Sequence, residues 1–272
     1  RIAASLALCL ALPAAAGTLE DIRSRGAIRL GFSETKAPFS FKAPNDGQPA
    51  GFSVEMCRRV AAAVAERLAP ASLRVEWVAL DPESRLAAVR DRKVDIECGT
   101  TTHTLARRKL VDFSLPIYAD AATVMARTAV AVNLREMNGR RVAVAENTTT
   151  LRALERVAAA GTVKPVIVKT KTLAEAFAML KDGKVDAIGG DRTALVGTYL
   201  LGGGGDGFTV FAENLSYEPY ALALRRGDAD FRLLVDETLA AIYRSDEIGK
   251  IYQAWLLPLG KPSEGLAAVY AI

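Results

Sequence analysis

The amino-acid sequence predicts an α/β fold made of two similar units, and three observations support this prediction. Short stretches with the two-residue periodicity of strands alternate with stretches of helical periodicity after Gly17. Residues 89–96 resemble residues 180–187, as though one helix-turn-strand segment occurred twice. Hydrophobic residues make up 50% of the 272 positions and charged residues 24%, as in globular proteins. Because strands that alternate with helices pair in parallel, we predict a doubly wound sheet in each unit.

The first unit is predicted from periodicity between residues 27 and 98. Met56, Val60 and Val64 recur every four residues and give a helix one apolar face. Asp81 followed by Pro82 is typical of a helix start, with a capping carboxylate and a proline at the first helical position. The expected order is a strand at 27–32, a helix around 56–64, a strand at 73–79, a helix that begins at 81, and a strand at 94–98.

The second unit repeats this order. The expected elements are a strand at 141–145, a helix at 149–160, a strand at 165–169, a helix at 173–181 and a strand at 185–188. The glycine run at 202–205 is interpreted as a surface loop instead of a phosphate-binding loop, because no strand directly precedes it. In two related α/β units, a ligand cleft is expected where the carboxyl ends of the strands face each other.

The first 16 residues have the pattern of a signal peptide. A basic Arg1 precedes an apolar run at 2–12, and small residues at 14–16 precede Gly17. The run is well short of the roughly 20 residues that span a membrane, and alanines at this spacing are typical of a cleavage site. We therefore expect export and a mature chain that begins at Gly17. A buried N-terminal helix is the alternative, whereas a lipoprotein signal at Cys9 is disfavoured by the large residue before it.

Two cysteines, Cys57 and Cys98, remain after such cleavage, and in an oxidising compartment they can form a disulfide. Cys57 falls on a predicted helix and Cys98 at a predicted strand end. Buried free thiols are common at both kinds of position, so we favour free thiols over a disulfide.

The charge pattern argues against nucleic-acid and metal binding. The net charge is +4, and the basic residues are interspersed with acidic ones without forming a basic run. His103 is the only histidine, and the sequence has no Cys/His cluster with metal-ligand spacing. We expect no nucleic-acid partner, no metal and no other cofactor.

The motif ECGTTTHTLARR at residues 97–108, which runs into VDFSLP at 111–116, resembles the polar amino-acid-binding proteins of ABC importers, the bacterial extracellular solute-binding proteins of family 3. The glutamate/aspartate-binding branch looks most similar. Shorter segments in the same order support the resemblance, namely Gly31 with residues 37–41, then 51–55, 186–191 and 220–225. The resemblance covers nearly all of the chain after residue 16.

This resemblance implies a two-lobed periplasmic binding protein of type II, with a doubly wound sheet in each lobe and two hinge crossovers. Lobe 1 would comprise residues 17–119 and 222–272, and lobe 2 would comprise residues 120–221. The crossovers would lie near 119–123 and 217–222, and the lobes would close about them over a ligand. The implied function is that of a periplasmic monomer that binds a free amino acid in the interlobe cleft and delivers it to the membrane permease of an ABC importer.

The same resemblance implies residues for both ends of an amino acid. Arg107 would grip the α-carboxylate in a bidentate fork, assisted by Thr100 and Thr102. Thr149 would bring the N-terminus of a helix to the same carboxylate, and Asp191 would receive the α-ammonium group. Considered singly, Arg107 could be a surface arginine, and Asp191 and the threonines could be ordinary helix caps.

The side-chain end of the implied site departs from the acidic-ligand branch. Ser33 and Leu173 stand where that branch has an arginine and a histidine. Arg85 matches a second arginine of the branch, and Lys36 stands where other members often place an aromatic ring. Phe39, in a segment that carries the resemblance, completes the predicted ligand-binding set. Two cations would favour an acidic or polar ligand such as glutamate or glutamine if Lys36 points inward, and an outward Lys36 is the alternative.

Two other classes of function stay open. Relatives of this fold include cyclohexadienyl and arogenate dehydratases, for which Glu97 would be the candidate acid or base. No Ser/His/Asp or Cys/His set is recognisable, so we expect a binding protein and not an enzyme. The third class is an extracellular sensor domain.

Overall fold

The computed structural model describes residues 17–68, 72–201, 207–262 and 264–271, which form a mixed α/β fold. The strands are β1 (Ala27–Phe32), β2 (Thr35–Lys36), β3 (Ser40–Lys42), β4 (Pro49–Ala50), β5 (Arg74–Ala79), β6 (Ile96–Glu97), β7 (Asp112–Arg127), β8 (Arg141–Ala145), β9 (Val166–Thr170), β10 (Ala187–Asp191), β11 (Phe208–Val210) and β12 (Ser216–Leu224). The helices are α1 (Thr18–Arg25), α2 (Phe52–Leu68), α3 (Arg85–Arg90), α4 (Thr149–Ala159), α5 (Leu173–Lys181), α6 (Arg192–Leu201), α7 (Ala229–Tyr243), α8 (Glu247–Trp255) and α9 (Glu264–Val269).

One large sheet has the strand order β5-β1-β6-β12-β7-β10-β8-β9, with β11 paired to β7, and β2, β3 and β4 form a separate small sheet. We call β1, β5 and β6 with their helices the first half, and β8, β9 and β10 with theirs the second half. Within each half the strands pair in parallel, as the alternation of strands and helices predicts. Strands β7 and β12 run antiparallel between the halves.

Each half has its own apolar core. In the first half, α2 and α7 cover one face of the sheet with side chains such as Phe52, Val60 and Phe231, all of which are fully buried. In the second half, one cluster around Val144 and Leu154 and another around Leu173 and Ile188 cover the two faces. Two faces covered by apolar helices explain why these strands are nearly continuous hydrophobic runs.

The two crossing strands carry the chain from one half to the other. Strand β7 pairs with β12 from Asp112 opposite Leu224 to Ala122 opposite Ser216, with shifts of register around Ala221. Beyond this stretch β7 continues into the second half, where it pairs with β10 and β11. The predicted crossovers near 119–123 and 217–222 fall on these strands, and the division into two lobes stays a prediction.

Most predicted elements match the observed ones within two residues, but the helix start at Asp81 is wrong. The helix, α3, begins at Arg85. The Asp81 carboxylate instead caps the turn before it, since Oδ1 accepts hydrogen bonds from the backbone N–H of Glu83 at 3.0 Å and of Ser84 at 2.7 Å. A carboxylate that satisfies a turn gives the same local sequence pattern as one that caps a helix.

The preference for free thiols is also wrong. Cys57 on α2 and Cys98 after β6 are joined in a disulfide, with their Cα atoms 6.1 Å apart. Both residues are fully buried. Helix α2 packs across the sheet so that these two positions meet within disulfide distance, and local sequence cannot reveal such tertiary proximity.

Two predicted features lie outside the described residues. These are the signal peptide at residues 1–16 and the glycine loop at 202–205. In the part of the chain that the structure describes, none of the helices combines the length and the apolar character needed to cross a membrane.

Candidate functional site

The predicted site residues follow the carboxyl ends of strands in both halves. Ser33 follows β1, and Thr100 and Thr102 follow β6, all in the first half. Thr149 begins α4 just after β8, and Asp191 ends β10, both in the second half. Ligands of open α/β sheets bind outside these strand ends, because backbone groups and helix N-termini are exposed there.

Charged side chains are buried in this region, which is unusual for charged residues. Of the predicted set, Lys36, Arg85, Arg107 and Asp191 are between 5% and 8% exposed. Thr100 and Thr102 are also buried, whereas Ser33 and Thr149 are half-buried. Buried charges need partners of opposite charge, so their concentration in one place indicates a binding site.

Arg107 lies on a short 3₁₀ turn, Arg107–Lys109, before β7. Its Nη1 donates to the backbone oxygen of Thr102 at 2.8 Å, which is the one hydrogen bond that its guanidinium makes to any described residue. Burial, together with the positive charge of Arg85, lowers the pKa of Arg107 to about 9. A guanidinium has five donors, so Arg107 keeps free donors for an anion.

Lys36 and Arg85 are the other two buried cations. The Lys36 ammonium makes no hydrogen bond or ion pair within the described ranges, and the alternative of an outward Lys36 is wrong. Burial lowers the pKa of Lys36, and the positive charge of Arg85 acts in the same direction, whereas Asp191 and Asp120 oppose it. The Nε of Arg85 is buried without a hydrogen-bond acceptor in the described part of the chain. Both cations therefore lack full compensation.

Glu97, on β6, is a fully buried carboxylate beside two of these cations. Burial raises the pKa of Glu97, and the positive charges of Arg85 and Arg107 act against this increase. The Glu97 side chain packs over Gly99, where a Cβ atom would come within 2.1 Å of Oε1. Gly99 therefore leaves the space that this carboxylate fills.

Asp191 and Asp120 form the acidic side of the site. Asp191 Oδ1 accepts a hydrogen bond from the hydroxyl of Thr150 at 3.1 Å. Asp120, on β7, accepts from the backbone N–H of Thr193 at 3.2 Å and from the hydroxyl of Tyr220 at 3.3 Å. Burial and the negative charge of Asp191 raise the pKa of Asp120 to about 7.

Glu218, on β12, connects threonines of the two halves. Its Oε2 accepts hydrogen bonds from the hydroxyl of Thr102 at 2.5 Å and from the hydroxyl of Thr149 at 2.6 Å. These two hydroxyl oxygens lie 3.2 Å from each other. The hydroxyl of Ser216 donates to Oε1 of the same carboxylate.

Two of the predicted residues lie differently from the rest. Phe39 is fully buried in an aromatic cluster, with its ring centre 4.8 Å from that of Tyr118 and 5.3 Å from that of Tyr220. Ser33 receives its main contact through the backbone, since its N–H donates to the Ser40 hydroxyl at 2.9 Å. Their roles as ligand contacts stay predictions.

Sequence reasoning missed Asp120 and Glu218. Each is an acidic residue with apolar or aromatic neighbours on both sides in its strand, and that is the signal that could have identified them. They lie directly opposite each other in the pairing of β7 with β12. Two acidic residues directly opposite each other are unfavourable when both are ionised, so their presence indicates a constraint other than stability.

Cationic and acidic groups are thus buried together between the halves. Arg107, with free donors, can bind a carboxylate, and Asp191 can accept hydrogen bonds from an ammonium group. Lys36, whose ammonium has no partner among the residues that the structure describes, can meet a second anionic or polar group. This arrangement suits a small zwitterion with a polar side chain.

Comparisons with known proteins agree with this chemistry. The sequence profile of a family described as bacterial extracellular solute-binding proteins, family 3, matches residues 28–258. The L-glutamate/L-aspartate-binding protein of Pseudomonas aeruginosa is 32% identical over 240 residues, which cover 88% of this chain and 80% of that protein.

Two solved structures are similar over most of the chain. An ancestral arginine-binding protein bound to glutamine has 28% identity and a TM-score of 0.74, covering 85% of this chain and 98% of its own. An ancestral amino acid-binding protein, described as a precursor of cyclohexadienyl dehydratase, has 28% identity and a TM-score of 0.73, covering 88% and 99%.

The raised pKa of Asp120 predicts how stability depends on pH. The folded protein keeps a proton on this carboxyl up to about pH 7, whereas an unfolded aspartate loses it near pH 4. The contribution of Asp120 is therefore complete below about pH 4 and is lost as pH rises to about 7, by on the order of 1 kcal/mol per pH unit.

We expect Asp120→Asn to remove this part of the pH dependence. Urea unfolding of the ligand-free protein between pH 5 and 8 measures it, with the exposed Asp230→Asn as the control. Equal slopes in Asp120→Asn and in the wild type would contradict the assignment.

Proposed function

The chain belongs to the bacterial extracellular solute-binding proteins of family 3, and we propose that it binds one free amino acid between its two halves and delivers it to the permease of an ABC importer. The fold class predicted from the sequence, a type II periplasmic binding protein, is confirmed by the solved structures that it resembles. The relatives with curated names are binding proteins of amino-acid import systems.

The observation that carries this proposal is the burial of Arg107 in the first half and of Asp191 in the second. Arg107 has guanidinium donors that would hold an α-carboxylate in a fork, and Asp191 would be the matching acceptor for an α-ammonium group. An amino acid held at both ends would stabilise the arrangement in which the halves are close. Binding and closure would then be coupled.

The hinges of this closure are part of the proposal. Lobe 1 would be residues 17–119 and 222–272, lobe 2 would be 120–221, and the crossing strands β7 and β12 would bend between them. Separate apolar cores in the two halves support this division, because each half can keep its packing while the halves move.

Arg107→Ala should weaken amino-acid binding by about 2–5 kcal/mol, because it leaves a buried carboxylate without its cation. Calorimetry of refolded, ligand-stripped protein with L-glutamate measures this effect. Arg108→Ala is the matched control, since Arg108 is the exposed neighbour. Unchanged affinity in Arg107→Ala, or an equal loss in Arg108→Ala, would refute the role of Arg107.

The ligand that we propose is an acidic or polar amino acid, with glutamate and glutamine as the first candidates. Lys36 and Arg85 support this choice, because both are buried cations with unused donors. Ser33 and Leu173 replace the arginine and the histidine that the acidic-ligand branch has at these positions. Leu173 is packed into the core of the second half. The space at Ser33 would suit a ligand longer than aspartate, or an ordered water.

The selectivity of the site follows from these cations. We expect the wild type to bind glutamate or glutamine more tightly than leucine and to disfavour arginine, because like charges repel at the cationic end. Lys36→Met should lower glutamate affinity by roughly tenfold or more, the contribution typical of a charged hydrogen bond. The exposed Lys42→Met is the matched control, since Lys42 belongs to the same small sheet.

A competition series with glutamate, glutamine, leucine and arginine tests this prediction in the wild type, in both lysine variants and in Arg85→Ala. Preference for leucine or arginine in the wild type would refute the cationic end. An unchanged ranking in Arg85→Ala and Lys36→Met would do the same.

One observation favours the rival function of a dehydratase. Glu97 is a buried carboxylate with a raised pKa between two arginines, as a general acid requires. The similar ancestral protein described as a precursor of cyclohexadienyl dehydratase is itself described as an amino acid-binding protein. Turnover of arogenate that is lost in Glu97→Gln would favour the enzyme over the binding protein.

Export to the periplasm belongs to the proposal as well. The family is described as extracellular, and residues 1–16 have the pattern of a signal peptide. We place the chain in the periplasm as a monomer that meets its permease there. N-terminal sequencing of the protein recovered from the periplasm tests this location.

A further inference from the structure

Glu218 connects both halves of the site through one carboxylate oxygen. Thr102 follows a strand of the first half, Thr149 begins a helix of the second half, and both hydroxyls donate to Oε2 of Glu218. Glu218 itself lies on the crossing strand β12. The contact therefore spans the place where the halves meet.

The number of protons on these hydroxyls limits what they can do. A threonine hydroxyl has one proton and can donate one hydrogen bond at a time. While Thr102 and Thr149 donate to Glu218, neither can donate to the carboxylate of a ligand. A ligand carboxylate would instead use the free donors of Arg107 and the backbone N–H groups of Thr149 and Thr150, since that of Leu151 donates to the capping hydroxyl of Thr148.

Displacement of Glu218 by a ligand carboxylate would be costly. Glu218 is 1% exposed, and its carboxylate depends on hydroxyl donors from Ser216, Thr102 and Thr149. A buried carboxylate that loses such donors pays the desolvation cost of the charge without compensation. Glu218 also lies opposite a second acidic residue, Asp120, and not opposite a cation. Glu218 is therefore expected to keep its partners when a ligand is present.

We propose that Glu218 is a positioning residue that stabilises the closed arrangement, and that the hydroxyls of Thr102 and Thr149 donate to this contact instead of to the carboxylate of the ligand. The proposal rests on the proposed function, because it assumes that closure and amino-acid binding are coupled. It assigns Glu218 a role and changes the role that the sequence predicts for the two threonine hydroxyls.

This role of Glu218 predicts how the ligand affinity depends on the closed fraction of the protein. If only the closed arrangement binds tightly, the apparent dissociation constant is inversely proportional to the closed fraction of the ligand-free protein. A variant that weakens the Glu218 contact should lower the closed fraction and the affinity by the same factor. A variant that removes a direct ligand contact should lower the affinity alone.

The experiment measures both quantities in Glu218→Gln, Thr149→Val and the double variant. Spin labels at positions 62 and 159, on exposed faces of α2 and α4, report the distance between the halves in ligand-free protein. Calorimetry with L-glutamate gives the dissociation constant. Thr149→Ser is the control, because it keeps the hydroxyl.

We expect Glu218→Gln and Thr149→Val each to reduce the ratio of closed to open ligand-free protein by about tenfold, which is the effect typical of losing a charged hydrogen bond. The dissociation constant should rise by the same factor by which the closed fraction falls. The double variant should bind L-glutamate no more weakly than the weaker-binding single variant does. Thr149→Ser should resemble the wild type in both closed fraction and affinity. Urea unfolding of each variant checks that the fold is kept. If Glu218→Gln does not fold, Thr149→Val carries the same test, since Thr149 is half-buried at a helix start.

Three results would overturn the proposal. The first is an affinity loss in Thr149→Val without a change in the ligand-free distance. The second is additive losses in the double variant, and the third is a ligand-free wild type that is entirely open. The distance measurement needs no ligand, so a failure of every common amino acid to bind would refute the proposed function separately.

Discussion

The pairing of β7 with β12 is the interaction on which the rest of the structure depends. It joins two halves with separate cores into one sheet, and it carries the chain between them twice. The same pairing sets Asp120 opposite Glu218 and Tyr118 opposite Tyr220, so the floor of the site follows from its register. A shift of β12 by one residue would turn Glu218 and Tyr220 to the other face of the sheet.

The site buries charged side chains near this pairing, and this burial costs stability. Desolvation raises the pKa values of Glu97 and Asp120 and lowers those of Lys36 and Arg107. All four shifts have burial as their largest cause, which means that opposite charges in the site do not fully compensate one another. A site in this condition gains from a ligand that brings its own charges, because the ligand restores the missing partners.

The sequence predicts the parts of this structure that depend on local pattern. The strands at 27–32 and 141–145 and the helix at 173–181 match the observed bounds, because their periodicity and caps are local. The family resemblance also predicts Arg107 and Asp191 as ligand-binding residues, and the fold buries both. The disulfide, the inward Lys36 and the contacts of Glu218 depend on pairings between residues far apart in the chain. A single sequence contains no signal for such pairings until the register of the sheet is known.

The buried charges of the site differ in how far protein groups satisfy them. Three of its acids accept hydrogen bonds from protein donors, as Asp191 does from Thr150, Asp120 from Thr193 and Glu218 from both bridging threonines. Glu97, beside Arg85 and Arg107, is the exception, since its Oε2 has no donor among the described residues. The cations of the site are less well supplied, since among the described residues Arg107 has one acceptor for its guanidinium and Lys36 has none for its ammonium. An α-ammonium group would add to an acidic side that already has donors. An α-carboxylate at Arg107 and a side-chain carboxylate or amide oxygen near Lys36 would supply what the cationic side lacks. The balance of donors and acceptors thus favours a ligand with more acceptors than an apolar amino acid can offer.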